Sequence, residues 1–296
     1  MNFEEMTDRI AHGEGFIAAL DQSGGSTPKA LRGYGVSDDE WSGDDAMYAQ
    51  IHAMRARVIT APSFASGKVI GAILFEKTMD GMVDGLPTAD ALKSRGVVPF
   101  IKVDQGLEDE ADGVQLMKEM TRLDALIEKS RAAGMFGTKM RSVIKSANAR
   151  GIAAAVAQQF AYGNRIADAG LTPILEPEYD ITAADRAEGE EILLAEIMKR
   201  LDALPEERKV MLKLSIPVTP DLYAPVIAHP NVLRVVALSG GYSTEDACTH
   251  LACNCGMIAS FSRGLLQDLR KDQSDAEFDA VLGAAIDRIQ AASMAG

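Results

Sequence analysis

Lys213 stands in the segment Met211-Leu-Lys-Leu-Ser-Ile216, with apolar residues on both sides. A lysine amine attacks a carbonyl carbon only when it is neutral. Removal from water and nearby positive charge both favour that form. Lys102 and Lys139 stand at matching heights in other apolar runs and would supply such charge. The plainer reading is a strand-end lysine in a salt bridge with Glu176 or Glu178. Those two glutamates are two residues apart and face one side of a regular strand. Pro177 between them removes a backbone donor and stiffens the chain. Paired carboxylates have their pKa values pushed apart. Such a group can move protons while a carbinolamine loses water. The alternative is a structural carboxylate pair neutralised by Lys139 and Arg141.

A second set of residues suits an anion. Ser239-Gly240-Gly241 ends one apolar run, just before a helix start at Ser243, and glycines let backbone amides approach a phosphate closely. Ser262-Arg263-Gly264 ends the next run. Asp21-Gln-Ser-Gly-Gly-Ser26, backed by Lys29 and Arg32, would hold a second phosphate across the same mouth.

These residues need a frame that brings distant segments to one place. Eight short apolar runs recur along the chain: Gly15–Asp21, Val69–Glu76, Val97–Asp104, Phe136–Lys145, Leu171–Glu178, Val210–Pro217, Val232–Gly240 and Met257–Gly264. Continuous apolar runs suit strands buried on both faces, as in a parallel sheet covered by helices. The intervening segments carry helix-start signals at Ser37/Glu40, Thr182/Asp185 and Ser243/Asp246. A final helix places Phe278, Val281, Leu282, Ala285, Ile286 and Ile289 on one face. This alternation predicts an α/β fold, a single (β/α)8 TIM barrel over residues 1–296. An open doubly wound sheet is the runner-up, but no Gly-x-Gly-x-x-Gly follows any strand. Asp21, Glu76, Lys102, Lys139, Glu176, Glu178, Lys213, Ser239 and Arg263 all fall near strand C-terminal ends, which converge on the active-site mouth of such a barrel.

The net charge of −13 argues against nucleic acid and anionic membrane as partners. It also means that any bound phosphate requires cations gathered locally. No apolar run reaches the roughly 18 residues of a membrane span. Met1 is followed by Asn2-Phe3-Glu4-Glu5, with no basic and apolar leader, so a reducing cytoplasmic setting is expected. The cysteines Cys248, Cys253 and Cys255 are read as buried thiols rather than a metal clip. Self-association into a homo-oligomer is left open.

At these residues the chain resembles the class I fructose-bisphosphate aldolases, in a shorter bacterial form. The resemblance runs through Ala-Leu-Asp-x-Ser-x-x-Ser around Asp21, Phe100-Ile-Lys-Val-Asp104 and Ile174-Leu-Glu-Pro-Glu178. It continues through Leu212-Lys213, Leu238-Ser-Gly-Gly241 and Ser260-Phe-Ser262. It implies a metal-independent aldehyde-lyase of glycolysis and gluconeogenesis that cleaves fructose 1,6-bisphosphate to dihydroxyacetone phosphate and glyceraldehyde 3-phosphate. Another Schiff-base sugar-phosphate aldolase, acting for example on tagatose bisphosphate, is the alternative. Residue by residue, the resemblance makes Lys213 the imine-forming lysine and Glu176 the proton shuttle. Asp21 becomes the base for the C4 hydroxyl, Lys139 the aid to carbinolamine formation and Glu178 the orienting group. Ser239, Gly240, Gly241, Arg263 and Gly264 would hold the phosphate of the dihydroxyacetone half. Ser23, Ser26 and Lys102 would hold sugar hydroxyls or the far phosphate. The protonated imine is the electron sink, so no cofactor is implied. Gln22 stands where animal enzymes carry glutamate. Ser-Phe-Ser-Arg-Gly lacks a tyrosine, and the chain ends Ala292-Ser-Met-Ala-Gly296 without a terminal tyrosine arm.

Overall fold

The computed structural model describes residues Met1 to Gly296. Eight parallel strands follow one another round a nearly closed barrel: Phe16–Leu20, Val69–Leu74, Val98–Lys102, Gly137–Ile144, Thr172–Tyr179, Val210–Ser215, Val232–Leu238 and Ile258–Ala259. Each pairs with the next in chain order, as in a (β/α)8 TIM barrel. The seam between the first and eighth strands is spanned by the Ala19 N–H, which donates to Phe261 O at 3.2 Å. The runner-up open sheet is therefore set aside.

The strands are buried on both faces because every second residue points inward and the others meet the helices. Leu212 and Leu214 pack in the outer core between strands and helices, while Met211 joins a separate inner cluster. The inner cluster also contains Ile17, Val98, Phe100 and Ile174. Alternation from these residues carries Asp21, Lys102, Glu176, Glu178 and Lys213 to the interior above them. The fourth strand begins with Gly137, where a Cβ would clash with the Thr172 carbonyl oxygen and come within 2.9 Å of the Phe100 ring. Two residues further along, Lys139 points inward at the same level as Lys102, with which it is in register.

The inner cluster is closed from below by the first helix, Phe3–His12, whose Met6 and Ile10 are buried in it. An Asn2/Glu5 capping box starts that helix. The last helix, Asp275–Met294, buries Phe278, Leu282, Ile286 and Ile289 as the stripe predicted.

Four expectations needed correction. The Ser37/Glu40 capping box forms, but it caps only the 3-10 turn Asp38–Glu40; the long helix is Gly43–Thr60. Thr182 and Asp185 form no box. Thr182 bonds back to Asp180, and Asp185 accepts from the Ala147 N–H, while the helix Arg186–Leu201 follows. The eighth strand is only two residues long, because the chain turns into the helix Arg263–Leu266. The Ser243/Asp246 start holds, with Ser243 capping Thr244–Leu251. Cys248 is buried as expected, but Cys253 and Cys255 are exposed, since they follow the end of that helix rather than its packed face. No helix is long and apolar enough to cross a membrane.

Candidate active site

A cavity of about 1100 Å³ opens at the C-terminal ends of the strands, where barrel chemistry is found. Asp21, Ser23, Ser26, Lys102, Lys139, Glu176, Glu178, Lys213, Ser239, Gly240, Gly241 and Arg263 all line it. Gly264 does not; it is buried one residue beyond Arg263, where a Cβ would meet Thr244 Oγ1 at 3.2 Å. None of the histidines lines the cavity.

Ion pairs run across the floor of this cavity. Lys213 Nζ lies 3.0 Å from Glu176 Oε1, and Lys139 Nζ lies 2.9 Å from Glu176 Oε2. Lys139 also reaches Asp21 Oδ2 at 2.8 Å and Asp104 Oδ2 at 3.9 Å. Lys102 Nζ completes the chain at 2.6 Å from Asp104 Oδ1. Three ammonium groups thus face three carboxylates, which is what allows so many ions to leave water together. Asp104 is a site residue beyond those expected from the sequence, although it closes the Phe100-Ile-Lys-Val-Asp104 motif. Its side chain is only 5 % exposed, and it sets the place of two lysines.

The charges decide which groups hold protons. Burial alone would raise Glu176, but Lys139 and Lys213 outweigh it and hold the carboxyl below its ordinary value. Asp21 behaves likewise: burial is opposed by Lys139 and then Lys213, and its pKa falls well below the carboxylate range. Lys139 goes the other way. Burial disfavours its charge, yet Asp21, Glu176 and Asp104 together hold it protonated. Glu178 is raised, chiefly by burial, with Arg141 Nε at 2.8 Å offsetting part of the effect. The two glutamates are pushed apart as their pairing suggested, Glu176 down and Glu178 up. Lys102, expected to crowd Lys213 with positive charge, is instead matched by Asp104.

On the far wall, Gly240 and Gly241 adopt positive φ of 59° and 128°, conformations that glycine reaches without strain. A Cβ at Gly241 would lie 3.8 Å from Arg263 Nη2, so the guanidinium rests beside this turn. The loops after strands seven and eight therefore present a serine, two glycines and a cation together, Gly240 being packed against Ile181 and Gly241 the more open of the pair. Across the mouth, Ser26 Oγ accepts from Ser23 N–H at 3.0 Å and donates to Ser23 O at 2.9 Å, which folds the loop after the first strand. Lys29 lines the cavity behind it. Arg32 turns away and pairs with Asp38 at 2.9 Å. Glu76, another strand-end charge, begins the helix Glu76–Met79 and pairs with Arg122 and Lys129.

The family model for fructose-bisphosphate aldolase class-I matches residues 3–213. The chain belongs to this family. The match runs over well over half of the sequence and ends at Lys213 itself, so the first six strands of this aldolase carry it. A solved structure extends the likeness in fold over the remainder. It is a fructose-bisphosphate aldolase from Plasmodium falciparum, in a ternary complex with TRAP and a small-molecule inhibitor. It superposes with a TM-score of 0.73 at 19% identity, covering 99% of this chain and 95% of that one. A xylose isomerase-like TIM barrel/4-hydroxyphenylpyruvate dioxygenase fusion protein is a looser match. It has a TM-score of 0.44 and 12% identity over 79% of this chain and 40% of that one.

Proposed function

We propose that this aldolase cleaves fructose 1,6-bisphosphate reversibly through an imine on Lys213. The observation that carries this reading is the contact of Lys213 with Glu176, itself bound to Lys139 and through it to Asp21, in a cavity that Ser239, Gly240, Gly241 and Arg263 also line. Glu176 is the ionised carboxylate touching Lys213, so it takes the proton that frees the amine. The amine adds to the substrate ketone, and protonated Lys139 stabilises the developing oxyanion of the carbinolamine. Glu176 returns its proton to that oxygen, water leaves, and the protonated imine forms. Asp21 then accepts the C4 hydroxyl proton as the C3–C4 bond breaks, C4 becomes the aldehyde of departing glyceraldehyde 3-phosphate, and the bonding electrons move into the imine to give an enamine. Protonation at C3 and hydrolysis release dihydroxyacetone phosphate and free Lys213. Ser239, Gly240, Gly241 and Arg263 hold the phosphate near the ketone in this scheme, while Gly264, buried behind them, is left out of it. Ser23, Ser26 and Lys102 take the other end. Glu178, paired with Arg141, orients the lysines.

The test is borohydride reduction in the presence of dihydroxyacetone phosphate, followed by mass mapping of the peptides. An adduct on Lys213 is expected; an adduct on Lys102 or Lys139, or none, overturns the assignment. The specificity constant should be largest for fructose 1,6-bisphosphate, ahead of fructose 1-phosphate and tagatose 1,6-bisphosphate.

A further inference from the structure

Arg55 is the one wholly buried arginine with no carboxylate partner. It sits on the helix Gly43–Thr60 at 0 % exposure, and no salt bridge reaches it. Burial, the dominant effect, pushes its pKa down to about 10, which still leaves it charged at neutral pH. Nη1 donates to Thr78 Oγ1 at 2.7 Å, in the helix that follows the second strand. Nη2 donates twice to one residue, to Gln22 O at 2.5 Å and to Gln22 Oε1 at 3.1 Å. Nε has no partner. An unpaired buried cation is expensive to hold, and its forked geometry is what lets one side chain seize both the main chain and the side chain of a neighbour.

The other end of Gln22 is engaged as well. Its Nε2 donates to Ser262 Oγ, and to Ala19 O at 3.3 Å. Ser262 leads into the helix Arg263–Leu266 beyond the two-residue eighth strand. Gln22 thus adds a side-chain bridge across the seam of the barrel, above the Ala19–Phe261 backbone bond. The residue just before it is Asp21.

We propose that Arg55 and Gln22 are positioning residues that hold the Asp21 loop against the eighth-strand loop, so that Asp21 stays aligned with substrate fixed by the Arg263 side of the mouth. The proposal rests on the imine reading, in which Asp21 serves carbon–carbon cleavage but not the condensation of Lys213 with dihydroxyacetone phosphate. Gln22→Met keeps the bulk and removes both polar ends. Misplacing a reacting group by about 1 Å can cost on the order of 100-fold. The cleavage kcat of Gln22→Met should therefore fall roughly 10- to 100-fold, while KM and the rate of borohydride trapping on Lys213 stay within about threefold. Ser262→Ala added to Gln22→Met should worsen kcat little further, since the two share one bond. Arg55→Lys, which cannot grip Gln22 twice, should show the same split, and Gln22→Met carries the test should that variant fail to fold. Amide hydrogen exchange in the segment 20–26 should quicken in Gln22→Met. Equal losses in trapping and cleavage, an unchanged kcat, multiplicative effects of Gln22 and Ser262, or unchanged exchange would each overturn the proposal. A wild-type chain that yields no Lys213 adduct overturns the imine reading alone, and the exchange measurement then still judges the tether.

Discussion

The two glutamates of the fifth strand differ only by a step along the strand, yet their surroundings give them opposite tasks. Glu176 touches two ammonium groups and is held ionised; Glu178 meets one half-exposed guanidinium and is raised by burial. Replacing Glu176 by Gln removes the only carboxylate in contact with Lys213, and imine formation should slow about 10²- to 10⁴-fold. Glu178→Gln should slow it less than about tenfold. Rapid-quench borohydride trapping on both variants checks this; the reverse order would hand the proton-transfer role to Glu178. At this scale the sequence was informative wherever a charge interrupts an apolar strand, because such a residue is costly to bury by accident. That pattern singles out Lys213, Glu176, Asp21 and Lys139. Asp104 closes its apolar run as Asp21 closes the first, and alternation through Val98, Phe100 and Lys102 assigns it to the interior, but Lys102 two residues earlier is the charge that stands out there. Arg55 carries no comparable mark, since an arginine on a helix is ordinary until its burial is seen.

Strands were legible as continuous apolar runs, but their ends depend on partners that lie far along the chain. The fifth strand runs through Pro177 to Tyr179. Its ladder with the sixth strand pairs Ile174 with Met211 and Leu175 with Leu212. Beyond that point the Ser215 hydroxyl takes over, accepting from Tyr179 N–H at 3.0 Å and donating to Tyr179 O at 2.6 Å. A proline can sit in this stretch because the backbone ladder is not asked for its missing N–H. Ser215 is buried, so Ser215→Ala leaves a backbone donor and acceptor without partners. A loss of about 1–3 kcal/mol is expected, read as a lower urea midpoint with an unchanged slope. A midpoint equal to that of the native chain would mean that the strands find other partners there. The misread helix starts have the same origin. Ser37 and Glu40 do form a capping box, but whether the turn after it continues as a helix depends on Trp41 and Ser42 and the packing beyond.

Across the whole molecule the two ends of the barrel do different work. The closed end is held by an inner apolar cluster and the first helix. Sequence alone left that helix unread, because Met6 and Ile10 are its only buried residues among charged ones. Ile10→Ala should therefore cost about 2–5 kcal/mol while leaving KM unchanged. The open end concentrates ions instead, and this makes stability depend on acid. Asp21 and Glu176 are both held below their ordinary values of 3.8 and 4.5. As pH falls past those values, the unfolded chain takes up protons that the folded chain still refuses. Their contribution is thus complete above about pH 5 and is lost as pH drops toward their lowered folded values. Lys139 has the opposite sign: its pKa is raised, so its share is complete below 10.5 and is lost only on the far alkaline side. Asp21→Asn removes one of these two buried carboxylates, and a plot of urea midpoint against pH should fall less steeply between pH 5 and 2 for that variant. Identical slopes for variant and native chain would mean that the acid sensitivity resides in carboxylates outside the cavity, and that the buried ions at the mouth are matched closely enough to keep their folded and unfolded affinities for protons alike.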